Sequence, residues 1–103
     1  MLPISQKEVA MSAPRALQGI GINIFITYFE TFNQLQDRRR IADFCMKNGI
    51  SNEAGANIRG SYMEQVLNDK ALLQECLEYI VNHAKNVSLE HKEKAKKLMK
   101  DNK

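Results

Sequence analysis

Leu17, Ile20, Ile24, Tyr28, Phe32 and Leu35 recur at spacings of three, four, four, four and three, and no other feature limits so sharply what this chain can fold into. Such spacing returns a side chain to one face of a 3.6-residue helix at every turn. It predicts a continuous hydrophobic helix near residues 14–35 on which the other segments pack. Phe25 and Phe29 widen the stripe, as a helix covered from more than one side requires. The same residues allow a second reading. Ile22, Ile24, Ile26 and Tyr28 alternate as in a strand, and Gly19 and Gly21 each cost a helix interior about 1 kcal/mol relative to alanine. Helix is preferred because the pattern runs on to Leu35 without a turn signal and no second segment offers itself as a partner strand.

Start and stop signals divide the rest. Ser5 with Glu8 three residues later has the form of a capping box and predicts a short helix over about 5–12. Ser12 can cap the next helix, with Pro14 tolerated in its first turn. Asp37 caps a helix through Ile41, Ala42, Phe44 and Cys45 that ends at Gly49, a residue suited to the left-handed C-terminal position. Ser51 or Asn52 caps another, which Gly60 and Ser61 are expected to bend or break before Tyr62, Met63, Val66 and Leu67 resume its apolar face. Asp69 opens a helix with a stripe of Leu72, Leu73, Cys76, Leu77, Ile80 and Val81. Ser88 opens the last, whose thin apolar face of Leu89, Leu98 and Met99 can dock but hardly drive folding. The expected fold is all-α: a compact bundle of five to six helices, with the 14–35 helix central and the 69–84 helix across it. Residues 1–84 form a single helical domain, and 85–103 a basic C-terminal helix or partly frayed tail.

At 103 residues and 44% hydrophobic content the chain can build one modest core. The margin over lost entropy is small, so burial against a protein partner or in a homodimer would supplement it. The net charge of +3 is unevenly spread: residues 85–103 hold seven lysines against Glu90, Glu93 and Asp101, which leaves residues 1–84 slightly acidic. The longest apolar run, Ile20 to Phe29, is interrupted by Gly21, Asn23 and Thr27 and is half the ~20 residues of a membrane span. Cys45 and Cys76 lack the spacing of a metal or redox pair, and the N-terminus lacks the layout of a secretory signal. Reduced, buried thiols in a cytoplasmic protein are expected, with no membrane partner.

Arg38 to Leu67, with its turn through Asn48, Gly49, Ile50 and Ser51, resembles the helix-turn-helix of DNA-binding regulators. Gly49 at the turn places Cys45 at the small inner position, Ile50 at the apolar position after the glycine, and Ile58 on the buried face of the second helix. The position that normally carries a branched apolar residue falls on Gly55, which departs from the pattern. The resemblance implies double-stranded DNA as partner, with Asn52, Glu53 and Asn57 near base edges and Arg38, Arg39, Arg40 and Arg59 near phosphate. Glu53 fits poorly there, since a carboxylate is repelled by the backbone. Three successive arginines fan over about 200° of a helix, so at most two share one surface. The plainer alternative is two adjacent bundle helices joined by a glycine-capped turn.

Catalytic chemistry finds little support. His83 and His91 are the only histidines, and neither stands with the converging ligands a zinc site needs. No nucleophile is paired with an oriented base, and Gly19-Ile20-Gly21 lacks the third glycine and preceding strand of a phosphate loop. The five methionines are scattered gap-fillers. The expectation is a small non-catalytic regulatory protein that binds DNA through residues 38–67, without cofactor, metal or small-molecule substrate. The alternative is a helical protein–protein interaction module, such as an adaptor, inhibitor or assembly subunit.

Overall fold

Ser12, Asp37, Asn52, Asp69 and Ser88 each sit one residue before a helix, in extended backbone, with a side-chain oxygen accepting from a backbone N–H of the first turn. Each such cap contributes about 1 kcal/mol by pairing a donor that the helix itself leaves free. The computed structural model describes residues 12–102, so the helix expected over 5–12 lies outside the described residues, apart from Ser12. The helices are α1 (Ala13–Ile20), α2 (Ile22–Thr27), α3 (Phe29–Leu35), α4 (Arg38–Lys47), α5 (Glu53–Leu67), α6 (Lys70–Asn82) and α7 (Leu89–Asp101). Among the described residues there is no strand, and the all-α expectation holds.

Among the described residues there are seven helices, more than the five to six expected of the bundle, because the 14–35 segment is divided. At Gly21 the backbone turns to φ 94°, a left-handed conformation that a Cβ disfavours, and its N–H donates to Leu17 O at 2.7 Å to close α1. At Tyr28 the interruption is milder: φ is −108°, and the bonds Tyr28 N–H to Ile24 O and Phe32 N–H to Tyr28 O carry the chain through. The Gly21 turn shifts the phase of the buried face. Leu17 and Ile20 are buried before it, whereas Phe25, Ile26, Phe29 and Phe32 are buried after it, and Ile24, Tyr28 and Leu35 are only half-buried. The segment still occupies the centre through α1, which packs on both α5 and α6.

Gly60 was expected to bend or break its helix, yet α5 is continuous from Glu53 to Leu67. The glycine serves another end. A Cβ there would collide with the Arg38 carbonyl oxygen, so its absence lets α4 and α5 cross with backbone against backbone. Behind that crossing Tyr28, Phe32 and Phe44 form an aromatic cluster, with Phe44 edge-on to Tyr28 at 5.4 Å and to Phe32 at 5.9 Å. α7 closes the other side. Ala95 and Leu98 are buried against the core, Gln74 Nε2 donates to Met99 O at 3.0 Å, and Lys94 pairs with Glu30 at 3.0 Å. His91 Nδ1 lies 3.1 Å from Asn23 Oδ1, an oxygen that only accepts, so Nδ1 carries the proton. No described helix is long and apolar enough to cross a membrane.

Candidate functional site

The close crossing at Gly60 sets the first turn of α4 against the middle of α5. Asp37 Oδ1 accepts from Arg39 N–H at 3.1 Å, and Glu64 Oε2 accepts from the Arg38 N–H at 3.2 Å. These bonds fix the backbone that carries the arginines. Arg38 and Arg39 then line one cleft of about 220 Å³ together with Asn57 and Ser61. Asn57 and Ser61 are four residues apart, so they present adjacent polar groups on one face of α5. The sequence candidates Arg38, Arg39 and Asn57 therefore meet here. Arg40 is exposed on α4 but does not line the cleft.

Ser61 was not among the candidates. Its signal was present, since it stands one helical turn beyond Asn57, but its place after Gly60 gave it the reading of a helix breaker.

Asn52 and Arg59 are engaged within the fold. Asn52 Oδ1 accepts from Gly55 N–H at 2.9 Å and caps α5. Arg59 is half-buried, and its Nε–H donates to Ile20 O at 3.0 Å. That carbonyl is one of those the end of α1 leaves without a helical partner, and a cation at a helix C-terminus is favoured. The guanidinium lies beside Gly21 and so seals the break.

The turn has some of the expected features. Gly49 adopts φ 68°, Cys45 is buried and Ile50 is half-buried. The second helix does not follow the expected register. Ile58 is 51% exposed rather than buried, and the inward face of α5 consists of Ala56, Gly60, Met63 and Val66. Ile58 follows Ala56 by two residues, about 200° around the helix. Gly60 sets that phase, because only its face can approach α4 so closely. Beside Ile58 is a hollow of about 420 Å³ lined also by Tyr62, Gly19, Gln18 and Arg15.

Charge is dispersed. Glu53 lies exposed at the start of α5 and Glu64 reaches the start of α4. The lysines of α7 belong to a helix packed on α6 and α2, whereas α4 packs on α5 and α3. Cys45 and Cys76 are free and buried. Burial, with a smaller push from Glu75, raises the Cys76 thiol to about 12. Burial also raises Cys45, against an opposing pull from Arg59. Among the described residues no three His, Cys, Asp or Glu side chains are grouped to hold a metal ion. No protein-family model matches the chain, and neither a curated protein nor a solved structure does so.

Proposed function

We propose that this chain is a small non-catalytic regulatory protein of the cytoplasm that binds double-stranded DNA, chiefly through phosphate, at the junction of α4 and α5. One observation carries the reading: Arg38 and Arg39 share a cleft with Asn57 and Ser61. Guanidinium forks match phosphate oxygens in geometry and charge, and amide and hydroxyl groups are common phosphate partners. With Asn52 capping its own helix and Arg59 turned inward, few side chains are left to read bases. Binding of this kind tolerates many sequences and weakens steeply with salt. A salt-titrated mobility shift on random duplex, beside a light-scattering mass, tests the proposal. No shift at low salt ends it.

Ile58 favours a second reading, the helical protein–protein interaction module. A 51% exposed isoleucine next to a hollow shared with Tyr62 is an anchor for an apolar side chain of a protein partner or a second copy. An Ile58→Ser variant separates the two readings: it leaves DNA retention unchanged and abolishes any self-association or partner capture that the native chain shows.

A further inference from the structure

A second cavity, of about 610 Å³, shares no residue with the arginine cleft. It lies where the Gly21 break meets the end of α6 and the connection to α7. Its size falls within the range that holds small organic ligands. Three properties of its lining decide what it would hold.

Pro14, Ile22 and Val87 provide apolar surface. Tyr79 and His83, one turn apart at the end of α6, pack at 5.5 Å between ring centroids with their planes tilted by 39°, and form an aromatic wall. An apolar molecule with a flat face would gain from both. Charge is supplied on one side only. Among the described residues the lining includes Lys85 and no carboxylate.

The third property is the end of the Asn23 amide that has no partner among the described residues. Asn23 lines the cavity, but its Oδ1 already accepts from the His91 ring at 3.1 Å. The group left over is the amide N–H₂, a donor. Lysine ammonium and amide N–H together favour an acceptor that carries negative charge.

We propose that this cavity binds a small anion with a flat apolar body, an aromatic carboxylate, with its ring against Tyr79 and the apolar surface and its carboxylate toward Lys85 and Asn23. The molecule is a ligand and not a substrate, so the inference is compatible with a non-catalytic chain and independent of DNA binding.

The test uses the full chain, with 2-naphthoate as probe and neutral 2-naphthamide as control, followed by amide chemical shifts and by thermal unfolding. The expected result is saturable movement of the Asn23, Lys85 and Val87 resonances by naphthoate, with a higher midpoint of unfolding. Naphthamide should bind at least about tenfold more weakly, as should naphthoate to a Lys85→Gln variant whose own midpoint is unchanged, a difference of about 1.4 kcal/mol. Lys85 is exposed, so its loss does not threaten the fold. Equal affinity for acid and amide, undiminished binding to Lys85→Gln, movement confined to other residues, or no saturable movement at millimolar probe would each overturn the proposal.

Discussion

Arg59 donates its Nε–H to the carbonyl oxygen of Ile20 at 3.0 Å, across 39 residues of sequence. The bond joins α5 to the end of α1 at the point where Gly21 interrupts the longest apolar pattern in the chain. An arginine that looks available for phosphate is thereby occupied in holding two helices together.

Its removal should be felt in stability. A hydrogen bond from a charged donor is worth about 1.5–3 kcal/mol, and partial exposure of Arg59 places the cost of Arg59→Ala toward the lower end. Urea unfolding is expected to show that loss, with Arg59→Lys recovering little because an ammonium lacks the planar fork. The DNA affinity of Arg59→Ala, measured well below its unfolding midpoint, should match the native value. A binding defect without loss of stability would reassign this residue to the interface.

Gly60→Ala offers a test of opposite sign to the usual rule. In an open helix the change stabilises by up to about 1 kcal/mol. Here the added methyl meets the Arg38 carbonyl, and α4 must move away. Overpacking of this kind costs about 1–3 kcal/mol, so a lower urea midpoint is expected. A stabilised variant would show that the two backbones are not in contact.

The arginine cleft predicts a salt signature. Each phosphate neutralised adds about 0.9 to the slope of log affinity against log salt. The double variant Arg38→Ala with Arg39→Ala should bind random duplex more weakly and lower the slope by about 1–2 units. A control, Lys70→Ala, changes an exposed basic residue outside the cleft and should lower the slope by less. If the double variant retains the native slope, phosphate is not held at this cleft.

Cys76 gives the fold an alkaline limit. Burial raises its thiol from the ordinary 9.0 to about 12, with Glu75 adding to the shift. The folded state thus holds the proton more tightly than the unfolded chain does. The resulting stability is fully present below pH 9.0 and is lost as pH rises toward 12. Cys76→Val removes the titrating group while keeping an apolar side chain. The difference in unfolding free energy between native and variant chains should be constant at neutral pH and move in favour of the variant above pH 9.0. A difference that does not change with pH would mean that the thiol titrates alike in both states.

Local signals were legible in the sequence and non-local ones were not. Five helix starts could be read because a cap is made within three residues of itself, and Ser12, Asp37, Asn52, Asp69 and Ser88 all cap as their types imply. The break at Gly21 was hidden by its own effect. Its turn transfers burial from Ile24 and Tyr28 to Phe25 and Phe29, all apolar, so the stripe from Leu17 to Leu35 looks unbroken. Ile58 was assigned to the core because its residue type fits a turn pattern, while the phase of α5 is governed by what Gly60 must approach on another helix. The arginines and Asn57 could be proposed from type and position, but no local rule distinguishes Arg38, which lines the cleft, from Arg59, which is bound to a carbonyl far away in sequence.

Contact between main chains at Gly60 involves no rotamers, and so there is nothing in it to adjust. The offset between the α4 arginines and the polar face of α5 is a property of two rods pressed together. Truncation of Met63 or Phe32 would soften the interior around that joint while leaving the spacing shown to solvent nearly unchanged.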